Sequence, residues 1–201
     1  MLRHLPILAF AVLTLAACNR QAPTTATTDA NQPVAATEPS PAAPAATRNA
    51  AQMGPGFSGY GGARFGMSAQ DTRQAWAEPL GDNASANPGA CYQLSPTSAT
   101  SPRDFSVMFE GDKFVRYDVG TEDETAPGGG KVGMTADQIR SLYAGRIREQ
   151  PSKYVPGGTD LRVSADDDSG SALVFETDAA GKVARWRVGQ SPAVDYAEGC
   201  S

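Results

Sequence analysis

Few side chains in this sequence are suited to chemistry. There are three cysteines, Cys18, Cys91 and Cys200, and one histidine, His4. His4 stands at the head of what reads as a removable leader, so a mature chain holds no histidine. That excludes Ser-His-Asp and Cys-His nucleophilic catalysis and most zinc sites. The run Gly128-Gly129-Gly130-Lys131-Val132-Gly133-Met134-Thr135 superficially suggests a phosphate loop. A working one needs Ser or Thr directly after the lysine and a buried strand before it. Here Val132 follows Lys131, and the acidic Glu122-Asp123-Glu124 lies upstream. Asp166-Asp167-Asp168-Ser169-Gly170 offers oxygen ligands for calcium but lacks the EF-hand spacing and its closing Glu, so it reads as a solvated turn. Glu122-Asp123-Glu124 reads as a linker. No carboxylate pair stands out as an acid/base couple. The expectation is therefore no catalytic residue, no metal, no cofactor and no enzyme.

Chemistry is expected at Cys18 instead. Met1-Leu2-Arg3-His4 carries positive charge and residues 5–17 carry none, which are the two leading regions of a secretory signal. The run is shorter than the about 20 apolar residues that span a bilayer. It ends Leu15-Ala16-Ala17-Cys18, which resembles the bacterial lipobox. The resemblance implies cleavage before Cys18, a diacylglycerol thioether on its sulfur and an acylated amino group. Each buried CH₂ contributes about 0.8 kcal/mol, so several acyl chains anchor a protein stably. In lipoproteins of this kind Asp after the cysteine often means retention in the inner membrane, so the resemblance with Asn19 implies the outer membrane; the expected orientation is toward the periplasm. Residues 1–17 are then the signal peptide. Residues 18–55 are the lipidated cysteine and a tether of Ala, Thr, Pro and Gln, which cannot bury enough apolar surface to offset its ordering entropy. The glycine-rich passage 54–62 reads as a hinge. With Cys18 lipidated, Cys91 and Cys200 form an even pair in an oxidising compartment. A disulfide between them is the expectation; free thiols or intermolecular bridges are the alternatives.

The rest of the 201-residue chain must position whatever this protein binds, and its clearest feature is self-similarity. Arg64-Phe65-Gly66-Met67-Ser68-Ala69-Gln70-Asp71 reads against Lys131-Val132-Gly133-Met134-Thr135-Ala136-Asp137-Gln138. Later, Lys113-Phe114-Val115-Arg116-Tyr117-Asp118-Val119-Gly120 matches Lys182-Val183-Ala184-Arg185-Trp186-Arg187-Val188-Gly189. Ser68 and Thr135 have the form of helix N-caps, each with a polar partner three residues on. The first helix is expected over 69–77, ahead of Pro79, and the second should end near Gly145. The later blocks alternate. Phe114, Arg116 and Asp118 fall on one parity, and Val115, Tyr117 and Val119 on the other, as in a strand with one face in the core. Extra strands are expected over 91–94 and 161–163. The fold class is α+β: two tandem repeats, 56–124 and 125–201, each a short helical segment followed by an antiparallel β-meander.

The Gly-Met-Ser/Thr helix starts, with Arg73 and Pro79 beyond the first, resemble those of small outer-membrane lipoproteins of the SmpA/OmlA type. That family shares a helix-then-meander fold with β-lactamase inhibitory protein, which is built from two such units in tandem. The resemblance implies a non-catalytic surface that binds another protein. Trp76, Tyr117, Tyr143 and Trp186 occupy matching positions and are expected to pack between helix and sheet. Arg116, Arg185 and Arg187 project to the opposite side. With Lys113 and Lys182 they form the candidate binding face, or else a plain solubilising surface. A net charge of -5 gives no basic footprint for nucleic acid. The expected function is thus an envelope lipoprotein, held to the membrane by its N-terminal lipid, that binds a protein partner. The alternative is a glycan- or peptidoglycan-binding, lectin-like module. Clustered Arg would favour protein; a groove with a flat Tyr or Trp flanked by carboxylates would favour sugar. Labelled fatty acid should be incorporated into the chain in a Gram-negative host, and Cys18→Ser should abolish that label; retention of the label would refute lipidation at this residue.

Overall fold

The computed structural model describes residues 54–82 and 91–200. Cys18, the stretch read as a signal peptide and nearly all of the stretch read as a tether lie outside the described residues. The chain first makes a small antiparallel sheet of three two-residue strands, β1 (Pro55–Gly56), β2 (Gly59–Tyr60) and β3 (Ala63–Arg64). The passage read as a hinge is therefore ordered structure. Its aromatic residues Phe57 and Tyr60, with Phe65 just beyond it, explain this, because they pack against the main core.

Helix α1 (Ala69–Ala75) follows, then strands β4 (Leu80–Asp82), β5 (Cys91–Pro96), β6 (Phe105–Glu110) and β7 (Lys113–Val119). Helix α2 (Ala136–Leu142) precedes β8 (Ile147–Pro151), β9 (Thr159–Ser164), β10 (Ser171–Thr177) and β11 (Val183–Gln190). All eight strands form one antiparallel sheet in the order β4-β5-β6-β7-β11-β10-β9-β8. The class is α+β. Strands β4 and β8 were not expected from the sequence, which shows no two-residue alternation there.

The two helix starts are built alike. The Ser68 hydroxyl accepts from the Asp71 amide, and Thr135 and Gln138 form a reciprocal capping box. Gly66 N donates to Phe114 O at 2.8 Å and Phe114 N to Met67 O at 2.9 Å. At the second start Gly133 N donates to Val183 O and Val183 N to Met134 O, both at 2.8 Å. Each helix start is thus tied to the strand that closes the following meander.

One face of the sheet packs against the helices and the small sheet through Leu94, Val107, Phe109, Leu173, Phe175 and Trp186, among others. The expected alternation is corrected at one place in each closing strand. Met108 pairs with Arg116 but Phe109 with Phe114, leaving Val115 as an extra residue. Likewise Glu176 pairs with Arg185 but Thr177 with Val183, leaving Ala184 extra. A bulge shifts the side-chain parity, so Phe114 and Val183 join Tyr117 and Trp186 in the core.

The opposite face is covered by the C-terminal segment 191–200, which carries a 3₁₀ turn over Ala193–Asp195. Val194 packs there on Ala172 and Val174. Cys200 ends the segment in a disulfide to Cys91 of β5, with the Cα atoms 5.4 Å apart and a sequence separation of 109 residues. A loop of that length gives a stabilisation of about 4.7 kcal/mol in the chain-entropy limit, and measured losses for such bridges run to about 2–5 kcal/mol. Cys91→Ser/Cys200→Ser should therefore lower Tm by roughly 5–15 °C. An unchanged Tm, or alkylation of both cysteines in the unreduced wild type, would contradict the bridge.

Candidate functional site

The predicted binding face turns to solvent only in part. Arg116 and Arg187 are each 1% exposed. They lie on the side of the sheet opposite Tyr117 and Trp186, as their parity required, but segment 191–200 covers that side. Arg116 grips Asp118 with two bonds, Nε to Oδ2 at 2.8 Å and Nη2 to Oδ1 at 2.7 Å. Its remaining nitrogen donates to Ala193 O at 3.0 Å and Tyr196 O at 2.6 Å. Arg187 Nε donates to Val194 O at 2.6 Å, and its Nη1 meets Glu176. Arg185, partly exposed, also reaches Asp118. Lys113 and Lys182 remain exposed beside the helix starts, bridged to Ser68 and Thr135. The five residues therefore do not form one surface: Arg116 and Arg187 clamp the C-terminal segment, Arg185 joins them through Asp118, and the two lysines stay outside.

Burial pushes the Asp118 carboxyl up, but the charges of Arg116, Arg185 and Arg187, with Arg116 also hydrogen-bonding, outweigh it and hold the group at about 2. Arg187 is lowered to about 10 by burial and by the neighbouring Arg116.

A second place is open. A groove of about 510 Å³ lies at the end of α1. Trp76, the C-cap of α1, forms its half-buried wall. Tyr60 of β2 stacks on the indole with centroids 5.0 Å apart and planes 16° apart, and Phe105 of β6 meets both rings edge-on. Around these rings stand four carboxylates: Glu78, Asp104, Asp123 and Glu124. The Tyr60 hydroxyl donates to Glu124 Oε1 at 2.6 Å across 64 residues of sequence. Burial, then the Glu124 hydrogen bond and charge, push that phenol well above its ordinary range. Glu78 accepts from the Ser98 hydroxyl at 2.8 Å and from its amide at 3.3 Å. Asp104 accepts from the Thr100 hydroxyl and from Ser101 N, and the Thr100 bond draws its carboxyl downward.

The corresponding end of α2 is closed. Its C-cap is Tyr143, only 3% exposed. The Tyr143 hydroxyl donates to Pro127 O at 2.6 Å and accepts from Gly130 N at 3.1 Å. Gly128 and Gly130 permit this approach, since a Cβ on either would sit 2.5 Å from the Tyr143 ring or 2.3 Å from the Phe175 ring. The glycine run that superficially suggested a phosphate loop is thus a lid on Tyr143. Tyr117, Tyr143 and Trp186 are core residues as expected, whereas Trp76 is only partly so. The groove has no periodic signal in the sequence, because its rings come from three separate elements and its acids from the connections between them; Trp76 two residues before Glu78 is its one local mark.

Among the described residues, no three His, Cys, Asp or Glu side chains converge to hold a metal ion. The Asp166–Asp168 turn is exposed, and Asp167 accepts from Ser169 N at 3.1 Å. No helix of the described residues is long and apolar enough to cross a membrane.

Comparison with protein-family models and with curated proteins gave no match. Among solved structures, the chain is similar to an extracellular protein containing a SCP domain from Bacillus anthracis str. Ames, at 9% identity and a TM-score of 0.40. The likeness covers 63% of this chain and 44% of that one, so the chain spans less than half of that protein's length. A similarity this low assigns no family.

Asp118 yields a prediction with a sign. A carboxyl depressed in the folded state stabilises fully above its unfolded value, about 3.9, and that contribution is lost as pH falls through about 2. Stability should therefore hold its Asp118 share at pH 5–7 and shed it between about pH 4 and pH 2. Asp118→Ala leaves Arg116 buried without its partner and should cost about 3–5 kcal/mol at pH 7. A loss below 1 kcal/mol by denaturant titration would show that the cluster is not interdependent.

Proposed function

We propose that this chain is an envelope lipoprotein, anchored in the outer membrane through Cys18, whose folded part is a non-catalytic protein-binding module facing the periplasm. We further propose that the module is a tandem duplication of one helix-plus-meander unit. The matched hydrogen bonds around Met67 and Met134 support it, as does the same run of four strands after each helix. The leader residues support the anchor, and the Cys91–Cys200 bridge fits an oxidising compartment.

One observation carries the binding reading: an aromatic C-cap that is sealed at α2 stands open in a groove at α1. Large half-exposed rings in a concave site are the usual anchors of recognition. Arg116 and Arg187, buried under segment 191–200, offer a partner no contact surface. A second reading, a glycan-binding module, has one specific observation in its favour, which is that same ring wall flanked by carboxylates.

Site-specific photo-crosslinking tests the choice. A crosslinker at Thr100, exposed on the groove rim, should capture one stoichiometric envelope protein from living cells. Thr100→Arg, a rim change that leaves the core intact, should abolish capture at Ala99 while Tm is kept. Retention on peptidoglycan or sugar resin, with no protein captured, would reject the protein reading.

A further inference from the structure

The groove's chemistry narrows what it can take. Resting on the reading above, we infer that the α1 groove binds a lysine or arginine side chain presented by a basic segment of the protein partner.

The first argument is charge. Four carboxylates line the groove, and no lysine or arginine does so among the described residues. Glu78, Asp104 and Glu124 are only partly exposed, so their charges are less screened than those of fully solvated groups. Such a site attracts a cation and repels an anionic glycan or phosphate.

The second argument is hydrogen-bond polarity. Three side-chain donors of the wall are already used on its acids: the Tyr60 hydroxyl on Glu124, the Ser98 hydroxyl on Glu78 and the Thr100 hydroxyl on Asp104. The other side-chain donors are the Trp76 indole N–H and the Thr121 hydroxyl. The groove is thus rich in acceptors and poor in donors. A sugar hydroxyl both donates and accepts, so a sugar meets a mismatch here. An ammonium or guanidinium only donates, with three or five N–H bonds, and matches it. Charge-assisted bonds to carboxylates are also the stronger kind.

The third argument is shape. A lysine or arginine has an apolar stem and a charged head. The Trp76, Tyr60 and Phe105 rings offer a wall for the stem, and the acids lie around them for the head. A cation near an aromatic face gains a further attraction.

The test uses the folded chain and its own fluorescence. Of the two tryptophans, Trp186 is fully buried, so Trp76 is the residue that reports on the groove. The probe is the blocked peptide acetyl-Ala-Arg-Ala-Lys-Ala-amide, compared with its Gln-for-Arg/Lys counterpart and with chitotetraose. The basic peptide should give a saturable change that is lost in Trp76→Phe. Binding should weaken at least about fivefold between 0.02 and 0.5 M salt. Asp123→Asn/Glu124→Gln should weaken it about tenfold, with Tm unchanged. No saturable change at 5 mM peptide, or an equal and salt-independent response to the Gln peptide or to chitotetraose, would overturn the inference. If the peptide fails while the Thr100 crosslink still captures a protein, the basic-side-chain assignment alone falls. If both fail, the protein-binding reading falls with it.

Discussion

The buried charge cluster on the covered face of the sheet is the constraint on which the rest depends. Asp118 of β7 stands directly opposite Arg187 of β11 in the ladder that joins the two halves of the sheet. Arg116 and Arg185 close on the same carboxylate. A cluster of this kind is not a large source of net stability, because desolvating the ions offsets most of their attraction. What it creates is interdependence. With Asp118 in place, the guanidiniums have spare N–H groups that need acceptors, and the carbonyls of Ala193, Val194 and Tyr196 supply them. Those carbonyls lie along the 3₁₀ turn and its C-cap, outside any strand, and Ala193 O takes only the Tyr196 amide at 3.3 Å besides. Seam and C-terminal segment therefore satisfy each other, and the Cys91 bridge fixes the far end of that segment to the first half.

On the proposed duplication, the seam has a further logic. Asp118 and Arg187 occupy equivalent positions of the two units and also face each other. Two identical units joined this way would place like charges opposite, which is destabilising in a ladder. Carrying Asp in one unit and Arg in the other turns that clash into an attraction, and it makes the two halves complementary rather than interchangeable. The neighbouring pairs obey the same two-fold relation, with Val119 against Trp186 and Tyr117 against Val188. A specific, buried, opposite-charge contact of this sort fixes register more than it adds stability.

Much of this fold was legible in local pattern. The caps at Ser68 and Thr135 and both helices follow from residue chemistry within a few positions. The α+β class followed from them with the alternation of the later blocks, and so did the side of the sheet on which Arg116 and Arg187 lie. Their burial was not legible, because parity names a face without saying what covers it. Segment 191–200 is short, carries no periodic apolar pattern, and reaches its site through carbonyls, which every sequence possesses. The bulges at Val115 and Ala184 were hidden for a similar reason: one extra residue breaks a period of two without changing composition. Strands β4 and β8 lie at the sheet's edges and are largely polar, so alternation had little to mark. The groove was least legible of all. Its rim joins Tyr60 of β2 to Glu124 and Glu78 to Ser98, contacts across 64 and 20 residues of chain.

The connection between β7 and α2 unites these threads. Its first part supplies Thr121, Asp123 and Glu124 to the open groove at α1. Its second part, residues 126–130, folds over Tyr143 and closes the equivalent place at α2; Ala126 N is bonded to Gly130 O at 2.8 Å. One linker therefore adds acid to the first site and removes access to the second. The composition fits both tasks, since the acids precede the glycines and the glycines allow the backbone to approach the Tyr143 and Phe175 rings. A linker chosen only for solubility would need neither that order nor that contact. The difference between the two helix ends is thus written into a single connector, which borders an open groove at α1 and a sealed ring at α2.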